Sequence, residues 1–267
     1  MSPRLSAAAV ERYHRDGFDF PIPVLTPAEA RGLRRRLEAA EAAHGGRLGA
    51  ELRQKPHLLF TWVADLVRHP AILDAVESVL GPDLLVWSSS FFIKEAGDRA
   101  FVSWHQDATY WGLSAPTVVT AWVAVTDATV ENGAMRMVPG SHGDQLAHRD
   151  TFAPHNLLSR GQEIAVEVDE ARGVDVVLRA GEMSLHHVRM VHGSPANRSG
   201  DRRIGLAIRY IPTSVRQLAG EDGAMLVRGV DAYGHFAPER PPAADLDPAA
   251  RAHHAEALAR AAKILYR

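Results

Sequence analysis

His105 and Asp107 stand one residue apart in VSWHQDATYWGL, Val102 to Leu113, inside a run of aromatic and β-branched residues. In an extended strand, residues two apart share a face, so the imidazole and the carboxylate converge on one point while Gln106 turns away. Burying both without partners is costly, because each loses its water and finds no replacement in an apolar neighbour. A metal ion would compensate both. The third ligand is sought in HHVRMVHGSPANRS, where His187 and His192 differ by five. In one regular strand they would face opposite sides, so only one can join the site. His192 is chosen because it lies at the strand end, beside a Gly-Ser turn that permits close approach. Two histidines and one carboxylate, with no fourth protein ligand, form the facial triad used by non-haem iron oxygenases and leave coordination positions for co-substrates. HxD alone is a weak signal, since a structural histidine bonded to a nearby aspartate is its ordinary meaning.

The chain that must position these groups has 267 residues, enough for a large core, and reads as one elaborated domain. A formal net charge of −2 carries no electrostatic footprint for nucleic acid or an anionic membrane, so the expected partner is a small molecule. The absence of cysteine excludes disulfides, a thiolate nucleophile and a zinc-thiolate site, and any metal must be held by nitrogen and oxygen. Neither a secretory signal nor an apolar membrane span is seen, which makes the cytoplasm the default location. Monomer and dimer are both left open.

The first eighty residues carry helix signals. Ser6 caps a short helix ending at Gly17, Thr26 and Glu29 form a capping box ahead of a second, and HPAILDAVESVLG makes a third that stops at Gly81. From Asp83 the texture changes to eight short β-rich runs: LLVWSSSFFIK, RAFVSWH, PTVVTAWVAVT, AMRMVP, IAVEV, VDVVLR, MSLHHVRMVH and RRIGLAIRYIP. Eight strands without intervening helices predict a mainly β, double-sheet antiparallel architecture, a jelly roll flanked by helices. The expected plan is a single domain, 1–267, with N-terminal helices at about 5–81, a jelly-roll core at about 83–212, and a C-terminal loop and helix at about 213–267. The last helix is capped by Asp247 and runs from Pro248 to Leu265.

WHQDATYWGL, VTAWVAVTDATVENGAMRMVPGSH and LHHVRMVHGSPANRSGDRRIGLAIRYIP occur in an order and spacing that resemble the phytanoyl-CoA dioxygenase family of iron(II)- and 2-oxoglutarate-dependent oxygenases, which includes ectoine hydroxylase. The resemblance spans roughly Asp83 to Pro212. It implies a cupin-like double-stranded β-helix with His105, Asp107 and His192 as the catalytic iron ligands, and with 2-oxoglutarate and dioxygen as co-substrates. It also implies an arginine eleven residues after the distal histidine, holding the far carboxylate of 2-oxoglutarate, and Arg203 stands there. A planar guanidinium offers a bidentate fork that lysine cannot reproduce. Arg202, pointing the other way, is its natural control.

Ser194 resembles a position that hydrogen-bonds the same co-substrate, and Lys94 and Gln106 resemble positions near its other end. Trp111 resembles a substrate-side aromatic, with core packing as the other reading, and Tyr110 is grouped with it as a pocket aromatic. Arg209 shares strand parity with Arg203 and either meets a substrate anion or pairs with an acidic neighbour. His142 is read as a capping or surface group, His186 and His187 as packing or hydrogen-bonding within the sheet, and His253 and His254 as facing water.

The implied reaction hydroxylates an unactivated C–H bond of a small organic molecule while 2-oxoglutarate is decarboxylated to succinate and carbon dioxide. Halogenases of similar fold replace the ligand carboxylate with a small residue, so Asp107 implies hydroxylation or a related oxidation such as desaturation or ring formation. Two other classes fit the residues: a zinc or manganese jelly-roll hydrolase or isomerase, and a non-catalytic small-molecule-binding jelly roll. A free small molecule is expected over a coenzyme A thioester, since no basic cluster marks a coenzyme A phosphate site.

Overall fold

The computed structural model describes residues 4–158, 160–166 and 168–265. Helix α1, Ala7–Asp16, begins where the Ser6 hydroxyl accepts from the Ala9 amide and ends at Gly17, whose left-handed backbone lets its N–H reach the Tyr13 carbonyl. Helix α2, Pro27–Ala43, opens with the expected Thr26–Glu29 capping box. Helix α3, Thr61–Val67, is not foreshadowed in the sequence. It has no side-chain cap, and five of its seven residues are buried, so it shows no amphipathic period. Helix α4, Pro70–Leu80, follows as expected.

Between α1 and α2 lies an unforeseen strand, β1, Phe18–Pro23. Its two prolines are tolerated because it sits at a sheet edge. The strands that follow are β2 Leu84–Lys94, β3 Val102–His105, β4 Val119–Ala124, β5 Met135–Met137, β6 His148–Asp150, β7 Gln162–Ile164, β8 Val174–Val176, β9 Glu182–His187, β10 His192–Ser194, β11 Arg203–Pro212, β12 Gly223–Arg228 and β13 Ala237–Pro238, and helix α5, Pro248–Leu265, closes the chain. The run IAVEV is not a strand as such: β7 ends on its first residue, and Glu167 lies outside the described residues. The segment after 212, expected to be loop, contributes β12 to the main sheet.

A seven-stranded sheet in the order β1-β9-β4-β11-β2-β12-β13 faces a four-stranded sheet in the order β3-β10-β5-β8. This is the jelly roll, a double-stranded β-helix. Alternation along β11 explains how one strand serves two environments. Ile204, Leu206, Ile208 and Tyr210 point outward into the core built with Leu37, Val63 and Ile72 of the helices, each aliphatic side chain contributing about 1.5–3 kcal/mol. Arg203, Ala207 and Arg209 point inward, to the cavity between the sheets.

Gly205 lies on the same inner face, where a Cβ would fall 1.9 Å from the Trp122 ring. Gly205→Ala is therefore expected to cost about 1–3 kcal/mol through overpacking. The displaced ring packs 5.3 Å from the Arg203 guanidinium. A denaturant midpoint reads the loss.

The C-terminal segment is held by a buried ionic anchor. Lys55 Nζ donates to Glu239 Oε1 at 2.6 Å and to the Gly223 carbonyl at 3.0 Å, and His57 packs against Glu239 while its Nδ1 meets Ser89 Oγ at 2.7 Å. Burial would raise the Glu239 carboxyl, but the Lys55 charge and hydrogen bond, with His57 close by, outweigh it and hold it down at about 2, from an ordinary 4.5. Because the folded value lies below the unfolded one, this anchor stabilises fully above about pH 4.5 and is lost as pH falls toward 2. Glu239→Gln is expected to lower the neutral-pH melting temperature by a few degrees, with the gap from wild type closing in acid. His254, expected to face water, is instead buried and donates Nε2–H to the Gln54 carbonyl at 2.8 Å, tying α5 to the loop before Lys55.

Candidate metal centre and co-substrate pocket

Strands β3 and β10 are antiparallel neighbours in which His105 and His192 are direct partners, which brings their ring centroids to 4.1 Å. β3 ends at His105. Gln106 continues the extended backbone, and Asp107 begins a 3-10 turn, Asp107–Tyr110, so the same-face relation survives although the run is not one continuous strand. One ligand atom from each of His105, Asp107 and His192 lies within 4.8 Å of the others, and all three residues are buried.

The histidines are oriented alike. Each places Nδ1 2.9 Å from the carbonyl two residues earlier, Ser103 for His105 and Met190 for His192. A carbonyl can only accept, so Nδ1 carries the proton and Nε2 keeps its lone pair for a cation. Burial, and secondarily the His105 charge, push His192 down to about 4, so it is neutral at physiological pH. Burial would raise the Asp107 carboxyl, but its electrostatic surroundings, with Arg209 the permanent cation among them, hold it well below the usual range. His105 Nε2 stands 3.4 Å from Asp107 Oδ1. Two neutral nitrogens and one anionic oxygen make a donor set that fits a divalent first-row ion.

The premise of a single regular strand from His187 to His192 does not hold. β9 ends at His187, a turn intervenes, and His192 starts β10. His187 takes no part in the cluster, its Nδ1 accepting from the Arg189 amide at 3.1 Å. His142 also stays apart, with Nε2 3.2 Å from the His14 carbonyl.

A narrow cavity, with about 410 Å³ of empty space counted to its open mouth, extends from the cluster to Arg203, which is 1% exposed. Arg203 donates through Nη1 to the Gly133 carbonyl at 2.7 Å, and its Nε has no partner. Gly133 has φ +80°, and a Cβ there would lie 2.3 Å from the Pro195 carbonyl oxygen, so only glycine lets this backbone come so close. Cross-strand from Arg203 is Lys94, fully buried, with Nζ 2.7 Å from Ser194 Oγ and bonded also to the Pro195 carbonyl. Burial pushes Arg203 down to about 10, and burial with the neighbouring Arg203 charge pushes Lys94 down to about 6. Neither makes a hydrogen bond to a carboxylate. Two buried cationic groups without an anion are costly unless a ligand supplies one.

Lys94 thus stands at the Arg203 end of the pocket, not the opposite end where the resemblance had put it. Gln106 is a second correction. It faces away from the cavity, with Oε1 accepting from the Leu146 amide at 2.7 Å and Nε2 donating to the Asp144 and Arg189 carbonyls. Its amide is committed to bracing the loop and turn that flank the two ligand strands. His148 does similar work from β6, Nε2 accepting the Gln106 amide proton at 2.9 Å while Nδ1 donates to the Leu146 carbonyl. His148 was missed because a three-residue polar strand carries no pattern. His186 was misread as sheet packing: it lines the cavity, its Nδ1 has no partner, and its ring lies 5.0 Å from that of His192. Its alternation with the adjacent His187 was the available signal.

An outer cleft with about 1630 Å³ of empty space, counted to its open mouth, shares Phe92, Asp107 and Arg209 with the metal-side cavity. Tyr110 and Trp111 line it, as do Leu258 and Leu265 of α5. Tyr110 donates to Asp150 Oδ1 at 2.7 Å. Trp111 both packs, 4.9 Å from the Trp87 ring, and faces the cleft, so its two readings are not exclusive.

A jelly roll that presents two histidines and an aspartate at its small sheet, beside buried cations on the large one, has the architecture of a mononuclear iron(II)/2-oxoglutarate-dependent oxygenase. Residues 13–205 match the phytanoyl-CoA dioxygenase (PhyH) family. The chain belongs to that family.

Among its relatives is L-proline trans-4-hydroxylase of Streptomyces griseoviridis, 29% identical over 226 residues that cover 74% of this chain and 84% of the relative. The solved structure of the non-heme monooxygenase ThoJ in its apo form is 44% identical, covers 97% of both chains and superposes with a TM-score of 0.86. CytC3 with Fe(II) and alpha-ketoglutarate is 26% identical over 91% of this chain and 97% of its own, with a TM-score of 0.65. The chain is an oxidoreductase, an iron(II)- and 2-oxoglutarate-dependent dioxygenase. The hydrolase, isomerase and non-catalytic readings give way to it. Among the described residues no helix is long and apolar enough to cross a membrane.

Proposed function

We propose that His105, Asp107 and His192 hold the iron, that Arg203 with Ser194 and Lys94 holds the distal carboxylate of 2-oxoglutarate, and that the reaction is hydroxylation. One observation carries this reading: three converging donors and the buried Arg203 guanidinium, which has no carboxylate partner, line one cavity, and Lys94 is bonded to Ser194 of the same lining. When bound, iron(II) with 2-oxoglutarate and dioxygen supplies the oxidation, one oxygen atom passing to succinate as carbon dioxide leaves and the other entering a substrate C–H bond.

The protein's own part is positional. The Ser103 and Met190 carbonyls fix both imidazoles with Nε2 inward. Arg203 and Lys94 orient the keto acid along the inner face of β11. Tyr110 and Trp111 line the path by which a substrate reaches Asp107 and shield it from water. The intact Asp107 carboxylate supports hydroxylation over halogenation. We read the helices, jelly roll and C-terminal segment as one domain, because α5 walls the same cleft that β2 and β11 line, and we place the reaction in the cytoplasm.

The test is anaerobic titration of the iron(II)-loaded protein with 2-oxoglutarate. A saturable visible charge-transfer absorption, followed by succinate formation on admitting oxygen, is expected. Turnover of any candidate substrate without 2-oxoglutarate or oxygen would refute the reading.

A further inference from the structure

Arg209 stands on the inner face of β11, six residues beyond Arg203 and so about 20 Å along the strand. It lies where the metal-side cavity opens into the outer cleft, and its residue lines both. Only 8% of the residue is exposed. The guanidinium is held by neutral groups: Nη1 donates to Ser90 Oγ at 3.0 Å, and the rings of Trp111 and Phe92 lie 5.5 and 5.9 Å away. Ser90 in turn donates to Gln54 Oε1. Its Nε has no partner.

The negative charge near Arg209 is Asp107, the one carboxylate among the described residues lining the metal-side cavity. On the reading above, Asp107 is committed to the iron. A divalent ion and two guanidiniums then face a single carboxylate, and the 2-oxoglutarate dianion takes up two of the three surplus charges. One positive charge is left with Lys94 neutral and two with it protonated, and Arg209 is the cation of the cavity lining that the co-substrate leaves unmatched. A buried, preorganised guanidinium with a free N–H edge is a site for an oxyanion.

We infer that the molecule oxidised is an anion, bearing a carboxylate that Arg209 takes at the doorway between cleft and metal-side cavity. The inference rests on the iron and 2-oxoglutarate assignment. Thr120 and His186 stand on the neighbouring strands of the same inner face, each with a buried polar atom lacking a partner, Thr120 Oγ1 and His186 Nδ1. They would complete a polar rim beside the bound group. The rival source of the same chemistry is the chelating carboxylate of 2-oxoglutarate itself.

The test uses protein loaded with manganese(II) and 2-oxoglutarate, titrated with a panel of aryl and alkyl carboxylates, each paired with its primary amide, such as phenylacetate with phenylacetamide. Trp111 and Trp87 fluorescence reports occupancy beside the guanidinium. At least one carboxylate is expected to bind the wild type about tenfold or more tightly than its amide, and Arg209→Gln should reduce that preference to within about twofold. Its 2-oxoglutarate affinity, measured by calorimetry, should change by less than about twofold. Arg209→Lys, which keeps the charge and loses the planar fork, should retain an intermediate preference.

The inference is overturned if no carboxylate is preferred over its amide by the wild type, a result that needs no variant to fold. It is also overturned if the preference survives in Arg209→Gln, or if that variant loses 2-oxoglutarate affinity tenfold, which would assign the guanidinium to the co-substrate. Failure of the manganese-loaded wild type to bind 2-oxoglutarate at all would overturn the underlying reading, and is seen before any carboxylate is added.

Discussion

Asp107→Ala is expected to lose iron binding and to form no measurable succinate, while keeping the fold. Asp107 is the anionic member of the cluster, and the nearby Arg209 charge helps to hold its carboxylate ionised. Removing one partner of a buried charge pair costs about 3–5 kcal/mol, which is roughly 10²–10⁴-fold in affinity. The loss of geometry at the reacting centre adds to it. Metal content by anaerobic calorimetry and succinate by mass spectrometry measure the effect separately. Unchanged far-ultraviolet circular dichroism would show that the jelly roll persists, as expected for a residue in a 3-10 turn at the cavity wall and not in the helical core. Near-normal turnover in this variant would contradict the ligand assignment.

The second large effect is expected at Arg203. Arg203→Gln should raise the KM for 2-oxoglutarate by roughly 10²-fold or more, in line with the 2–5 kcal/mol that follows when one side of a buried, hydrogen-bonded charge pair is truncated. Iron binding should persist, because Arg203 is not part of the ligand cluster. Arg202 is the internal control. It is bound from the other side by Glu41 at 2.8 Å and by Glu95 at 2.7 Å, outside the cavity. Arg202→Gln should therefore cost stability and leave the KM for 2-oxoglutarate unchanged. Equal effects of the two variants would remove Arg203 from its proposed role.

How much of this was legible beforehand depends on whether the information was local. His105 and Asp107 could be paired from strand alternation alone, and alternation also turned Gln106 away, which the structure bears out. The family resemblance pulled Gln106 toward the co-substrate, and there the backbone geometry was the better guide. His192 was selected for lying at a strand end, and it does begin β10, although the strand assumed to contain His187 as well is broken by a turn. The position of Lys94 could not be read at all, because it follows from the cross-strand register of β2 with β11, a pairing between residues more than a hundred apart in the chain.

The elements that went unseen share a physical reason. α3 is buried almost all round and β1 carries two prolines, so neither shows the periodicity that marks a helix or a strand. β6 and β7 are three-residue strands of mostly polar composition, set in the stretch that braces the metal cluster from outside. The Lys55–Glu239 anchor joins residues 184 apart, which no local pattern can announce. His186 was within reach, since two adjacent histidines in a strand must face opposite ways and one of them had to point toward the cavity.

The most direct test is an anaerobic crystal structure of the protein with iron(II) and 2-oxoglutarate, with the metal located by its anomalous scattering. The account predicts one ion about 2.0–2.3 Å from Nε2 of His105, Nε2 of His192 and a carboxylate oxygen of Asp107, with the distal carboxylate of the keto acid on the Arg203 guanidinium. An ion bound by other residues, or a keto acid turned away from Arg203, would contradict it.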